Sequence, residues 1–327
     1  MIRFGVIGTN KITEAFIEAA SQVDDFMLSA VYSRTEERAK EFASKYNVQH
    51  TFTNIEFMAQ SKQVDAVYIA SPTSSHAEQA VLLMNNGVHV LCEKPIASNV
   101  NELEKMIQAA KKNNVILMEA LKSTLLPTFK TIQENLHKIG TVRNYFASYC
   151  QYSSRYDAYK AGTVLNAFNP AYSNGALMDI GVYCIYPMVV LFGKPESLQA
   201  NALLLDSGVD GQGSLLFKYK EMTGSVMYSK ISNSYVPSEI QGEEGSLIID
   251  HIDKPNNITL IYKDGTSENL PQTLDRPIMY YEVKEFIDLI QMGQSESVNN
   301  SLTHSMQVME LLDETRKQIG LVFPADL

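Results

Sequence analysis

The chain has 327 residues, of which 45% are hydrophobic and 20% charged, an ordinary globular composition. Its net charge is −10, from 27 Lys+Arg against 37 Asp+Glu, which argues against a nucleic-acid or anionic-membrane surface, since both need clustered cations. Three cysteines without close spacing (Cys92, Cys150 and Cys184) suit neither a disulfide scaffold nor a zinc cage and point to a reducing cytosol.

The length suggests two domains. Residues 1–8, Met-Ile-Arg-Phe-Gly-Val-Ile-Gly, read as a strand and not as a signal peptide. The longest apolar run, residues 182–192, contains Pro187 and is shorter than the roughly 20 residues that cross a bilayer. A soluble, cytoplasmic protein is the expectation.

Residues 1–120 alternate strands and helices. Strands are expected at 2–7, 26–32, 64–70, 88–92 and 115–120. Helices are expected at 11–21, from the cap Thr35 to 46, from the cap Ser75 to 86, and at 99–113. Short apolar strands alternating with helices imply right-handed crossovers and a parallel sheet covered on both faces.

The rest of the chain changes character. Helices are expected at 126–138 and 176–192, with Asn174 as a cap for the second. Extended runs follow at 142–152, 198–205, 213–218, 223–230, 245–250 and 258–262. Asp210-Gly211 and Asp264-Gly265 read as turns between them. Helices at 279–292 and 302–319 close the chain. Strands in succession predict a mostly antiparallel sheet. Val226, Tyr228 and Lys230 fall on one face; Ser225, Met227 and Ser229 fall on the other. The boundary is placed at 121/122, between a dinucleotide-binding domain (1–121) and a substrate-binding, dimerising α+β domain (122–327).

A strand that ends in Gly8 and turns at once into a helix opens a nucleotide-binding unit, because helix N–H groups and the helix dipole favour a pyrophosphate. The string Gly8-Thr9-Asn10-Lys11-Ile12-Thr13 keeps one glycine of the three-glycine fingerprint, so an ordinary strand–helix turn fits it as well. Asn10 tolerates left-handed backbone, and Thr9 and Asn10 offer side-chain hydrogen bonds. At the end of the second strand, where an NAD site carries a carboxylate, stand Ser33 and Arg34, with Arg38 one turn on. Arg34 can pair with a 2′-phosphate, which favours NADP over NAD; a solvated helix-start arginine is the alternative.

Further motifs, Ser71-Pro72-Thr73 through His76, Glu93-Lys94-Pro95, Met118-Glu119-Ala120 and the run from Gly175 through Asp179 and Gly181 to Tyr183, follow in an order that resembles the Gfo/Idh/MocA oxidoreductases. The resemblance covers nearly the whole chain and leans toward the branch with dihydrodiol dehydrogenase and glucose–fructose oxidoreductase. It implies an α/β Rossmann domain with a doubly wound parallel sheet. It also implies an α+β domain with an open, predominantly antiparallel sheet that commonly makes a homodimer. A nicotinamide cofactor and a small alcohol- or sugar-like substrate follow from it. Asn10 and Thr13 depart from the fingerprint. Lys122 to Pro127 departs from the aromatic and Arg-Phe pattern of many members.

On this resemblance Lys94, Tyr183 and Asp179 are the catalytic candidates. Gly8, Thr9, Asn10, Lys11, Ile12, Ser33, Arg34, Arg38, Ser71, Pro72, Thr73, His76, Glu93 and Lys94 are the cofactor-binding candidates. Lys94 follows a strand end at the carboxyl edge of the parallel sheet, and Pro95 holds it extended; the Lys94–Pro95 bond is a candidate for cis geometry. An ammonium there can stabilise a developing alkoxide or carry its proton. Asp179 and Tyr183, four apart on a helix, share a face. The expected activity is hydride transfer between nicotinamide C4 and a sugar, polyol or diol carbinol carbon. A silent NAD(P)-binding sensor, or an enzyme using the nicotinamide transiently, are the alternatives. Arg155, Tyr156, Tyr159, Lys160, Asn166, Asn169 and Tyr172 in the loop 152–172 suit a polyol, or solvent, equally.

Overall fold

The computed structural model describes residues 1–270 and 274–327. They form two compact units: Met1–Leu121 with Arg276–Ser305, and Lys122–Asp275 with Met306–Leu327. One cut in the chain does not reproduce this division. Phe286, on the helix Tyr280–Met292, packs its ring 6.0 Å from that of Phe4, so the segment Arg276–Ser305 belongs to the core of the first unit.

In the first unit, β1 (Ile2–Ile7), β2 (Phe26–Tyr32), β3 (His50–Phe52), β4 (Ala66–Ile69), β5 (His89–Glu93) and β6 (Leu117–Ala120) pair in the order β3-β2-β1-β4-β5-β6. Every pair is parallel. Between the strands run α1 (Lys11–Ala20), α2 (Glu36–Ser44), α3 (Ile55–Gln60), α4 (His76–Asn85) and α5 (Val100–Asn113). Phe4, Val6, Val67, Tyr68, Val90 and Leu91 are fully buried, as apolar strands covered on both faces must be. The strand order reverses between β1 and β4. Such a reversal opens a crevice at the carboxyl ends of the strands.

The second unit is an eight-stranded sheet. Its strands are β7 (Val142–Cys150), β8 (Ser197–Leu204), β9 (Asp210–Lys218), β10 (Thr223–Ser229), β11 (Ser238–Gly242), β12 (Gly245–Ile249), β13 (Ile258–Tyr262) and β14 (Ser267–Asn269). They run in the order β14-β13-β12-β11-β7-β10-β9-β8. The β10–β7 pair is parallel and the other pairs are antiparallel. With them come α6 (Pro127–Asn135), α7 (Tyr156–Lys160) and α8 (Val182–Phe192), the last continuing a π-helical turn at Leu177–Gly181. Tyr145, Val226 and Tyr228 are buried on the helix-covered face, and the Tyr145 hydroxyl donates to the Cys184 carbonyl at 2.8 Å. Leu216 (57% exposed) and Met227 (37%) lie on the other face.

Two local expectations fail for one reason. Asp210-Gly211 opens β9 and makes no turn, and Asp210 is fully buried. Its carboxylate accepts from the Leu177 amide at 2.7 Å, so Asp210, not Asn174, caps the helical stretch; Asn174 turns back onto the Gly175 amide at 2.8 Å. By length and composition the residues Pro170–Phe192 suffice to cross a membrane, but 78% of the window is buried inside the protein, as in the core helix of a globular domain. Cys92, Cys150 and Cys184 are free thiols.

Candidate active site

The turn after β1 is built on one glycine. Gly8 has φ +105°, and a Cβ there would stand 2.6 Å from the Ala70 carbonyl oxygen, closer than any side chain tolerates. The same carbonyl accepts from Asn10 Nδ2 at 2.9 Å, which ties the end of β1 to the residue after β4. Asn10 is extended (φ −105°, ψ 178°), not left-handed, because it serves as the N-cap of α1. Its Oδ1 accepts from the Thr13 amide at 3.1 Å and from the Thr13 hydroxyl at 3.2 Å. The two departures from the glycine fingerprint therefore satisfy each other, and Thr13 is fully buried. Lys11 and Ile12 open the helix whose N-terminus faces this turn. A glycine that only backbone can approach, at a strand-order reversal and beside a helix N-terminus, fits a dinucleotide pyrophosphate.

Arg38 belongs to this turn. Its Nε donates to the Thr9 hydroxyl at 3.1 Å, its Nη2 to the Thr9 carbonyl at 2.8 Å and its Nη1 to Glu41 at 2.8 Å. Thr35 caps α2 through the Arg38 amide. Arg34 is exposed at the end of β2, and the Ser33 amide is held by the Phe52 carbonyl at 3.1 Å.

Around the end of β5 the polar groups brace one another. The Tyr68 hydroxyl donates to Glu93, and the Lys94 amide to the other oxygen of the same carboxylate at 3.2 Å. The Tyr68 ring is stacked on Phe16, centroids 3.8 Å apart. The Lys94–Pro95 bond is cis. His76 is buried, with Nδ1 facing the Pro95 carbonyl at 3.1 Å and Nε2 facing the Ser71 carbonyl at 2.9 Å. Burial pushes its pKa down. The ring thus braces the Ser71 loop against the Lys94–Pro95 segment, and the Ser71 hydroxyl is taken by Gln79 at 2.7 Å. Pro72 leads a short 3-10 turn, Thr73–Ser75, in which Thr73 is buried; Ser75 makes no side-chain cap.

Glu119, part of the Met118-Glu119-Ala120 motif, is not among the site candidates that the sequence offers. It is 2% exposed, accepts from the Ile96 amide at 3.1 Å and from the Ser305 hydroxyl at 2.7 Å. Burial raises its pKa to about 7. It anchors the backbone two residues beyond Lys94.

In the second unit, Asp179 lies in the π-helical turn and Tyr183 on the first turn of α8. π-turns of this kind recur at functional sites because they re-aim side chains within a helix. Gly175 (φ +149°) is required, since a Cβ would stand 2.2 Å from Asp210 Oδ1. Asp210 is raised to about 6 by burial. Tyr183 is 7% exposed. Lys122 Nζ stands 5.8 Å from its ring centroid, and the Tyr149 ring meets it at 75° and 5.8 Å. Burial, then the charge of Asp253, pushes the Tyr149 phenol up. Asp179 is ion-paired with Lys230. Lys230 carried a visible signal: a lysine on the buried face of an alternating strand needs a counter-charge. In the loop 152–172, Tyr156 and Tyr159 stack 5.8 Å apart, and Phe168 packs on both.

Comparison with known proteins places the chain. Residues 2–121 match the model of an oxidoreductase family with an NAD-binding Rossmann fold, and residues 131–248 match the GFO/IDH/MocA C-terminal domain. The chain is 56% identical over 326 residues to the scyllo-inositol 2-dehydrogenase (NADP(+)) IolU of Bacillus subtilis (strain 168), covering 100% of this chain and 99% of that one. It is 44% identical over 326 residues to the uncharacterized oxidoreductase YgjR of Escherichia coli (strain K12), with the same coverage. A levoglucosan dehydrogenase solved with NADH and levoglucosan has the same fold, with TM-score 0.86, 19% identity and coverage of 98% of this chain and 97% of that one. The chain belongs to the Gfo/Idh/MocA family of NAD(P)-dependent oxidoreductases.

Proposed function

We propose that the protein oxidises a CH–OH group of a cyclic polyol with NADP, and catalyses the reverse reduction. The observation that carries this reading is identity of 56%, over the full length, to a relative named as an NADP-dependent scyllo-inositol 2-dehydrogenase. The cofactor preference has its own support in Ser33 and Arg34, which stand where an NAD site carries a carboxylate.

The bound nicotinamide supplies the hydride acceptor. Everything else falls to the chain. The Gly8 turn and the start of α1 hold the pyrophosphate, and Arg34 pairs with the 2′-phosphate. Lys94 and Tyr183 handle the proton of the substrate hydroxyl: the Lys94 ammonium stabilises the developing alkoxide, and the Tyr183 hydroxyl donates to or accepts from the same oxygen. Asp179 accepts from a neighbouring substrate hydroxyl. Glu93, Glu119 and His76 fix the backbone from which Lys94 projects. Growth of the reduced-nicotinamide absorbance with scyllo-inositol and NADP tests the reading; no turnover across a panel of cyclic polyols, sugars and diols contradicts it.

The active form is a homodimer made through the uncovered face of the eight-stranded sheet, where Leu203, Leu216, Met227 and Ile261 are exposed. An open apolar sheet face of this kind is normally covered. Sedimentation at micromolar concentration is expected to give twice the chain mass of 36.5 kDa; a monomer removes the claim. Three free thiols accord with a cytoplasmic location.

A further inference from the structure

Lys230 follows the last residue of β10, and its side chain is 4% exposed. Few lysines are buried this deeply, because an ammonium leaves water only when a counter-charge replaces its hydration. Its partner is the carboxylate of Asp179, whose side chain is 32% exposed. The ammonium also stands 5.3 Å over the ring of Phe168, a second favourable contact for a desolvated cation. Its backbone is fixed on both sides: the amide donates to the Gly211 carbonyl at 2.9 Å, and the carbonyl accepts from the Ser153 amide at 2.8 Å. The charge is thus held by a strand end, and the freedom of a long side chain is already lost.

We infer that Lys230 is a positioning residue of the reaction, which acts on the hydroxylated substrate through Asp179 by holding that carboxylate ionised and fixed in orientation. The inference rests on the placement of Asp179 in the substrate site proposed above. Asp179 sits on a π-helical turn, and the buried ammonium of Lys230 is ion-paired with its carboxylate. An ionised carboxylate accepts hydrogen bonds at both oxygens, which suits the hydroxyls of a polyol; a neutral carboxyl turns one of them into a donor. The field of Lys230 also reaches Asp210, the buried carboxylate that caps the same helical stretch.

A purely structural ion pair would change stability and leave the folded enzyme's kinetics alone. The test is therefore a double-mutant cycle on the full-length enzyme, read as kcat and KM with NADP and scyllo-inositol. Lys230→Met removes the charge and keeps the apolar stem. It is expected to lower kcat/KM by roughly ten- to hundredfold, the worth of a hydrogen bond to a charged group, while NADP affinity stays within about twofold. Asp179→Asn should give a loss of similar size. The double variant should be no worse than Asp179→Asn alone by more than about twofold, because partners acting in series are not additive. Lys230→Arg should recover most of the activity, and Lys230→Gln replaces the methionine variant if that one does not fold. Wild-type kcat/KM in both neutral variants, or losses that multiply in the double variant, overturn the inference. Full activity of Asp179→Asn overturns the underlying placement of Asp179, and the inference with it; loss in Asp179→Asn with none in Lys230→Met overturns the inference alone.

Discussion

The guanidinium of Arg38 spans Thr9: Nε takes the hydroxyl at 3.1 Å and Nη2 the carbonyl at 2.8 Å. In the sequence Arg34 is the candidate partner of a 2′-phosphate and Arg38, one turn on, a candidate helper; the structure gives the two different surroundings. Arg38 is a strut of the turn that starts at Gly8, with its third donor on Glu41. Arg34 is exposed beyond β2.

Two substitutions separate these roles. Arg34→Ala is expected to weaken NADP roughly ten- to hundredfold and to leave NAD nearly unchanged, since charge-assisted bonds to a phosphate are lost. Arg38→Ala should weaken both cofactors by a similar factor, because it loosens a turn that both use. Titration by fluorescence quenching measures all four affinities. An Arg34 variant that keeps the wild-type ratio of NADP to NAD affinity shows that Arg34 does not read the 2′-phosphate.

Glu119 gives the protein a pH dependence with a definite sign. Its folded pKa is about 7 against an ordinary value of 4.5, because burial penalises the charged form. A raised carboxyl pKa means that the folded state holds the proton more tightly than the unfolded chain. Its contribution is complete below about pH 4.5, declines as pH rises toward 7 and levels off above it, a loss of about 3 kcal/mol in all. Glu119→Gln keeps an acceptor for the Ile96 amide and removes the titration. Measured by denaturant unfolding, the variant should gain on wild type by roughly 2–3 kcal/mol between pH 5 and pH 8. An equal gap at the two pH values contradicts this.

Legibility in the sequence followed physical cause. The five strands expected in the first 120 residues are present because fully buried strands must be apolar along their length. β3 and α3 were missed because three and six residues are too short to show a period. β11, Ser-Glu-Ile-Gln-Gly, shows no strand pattern because it has one apolar residue, Ile240, which is buried together with Ser238. Asp210-Gly211 looked like a turn because local propensity does not register a distant demand: the orphan amide of Leu177 needed a buried acceptor. The same holds for Asn10. Its presence in place of a glycine suggested a strained backbone, whereas its side chain caps α1 and ties the turn to Ala70. Motif order carried the family assignment. The roles of Glu119 and Asp210 are hidden because they come from contacts remote in the sequence, and Lys230 shows there only as a cation on a buried face, not as the partner of Asp179.

Net hydride transfer to NADP is expected to depend on Lys94. The most direct measurement is the absorbance of reduced nicotinamide on mixing enzyme, NADP and scyllo-inositol, for wild type and Lys94→Ala side by side, with NADP binding checked for both. Steady growth with wild type, and loss of nearly all of it in a variant that still binds NADP, is the predicted result. Wild-type turnover in Lys94→Ala, or conversion of the polyol with no net change in the cofactor, would contradict it.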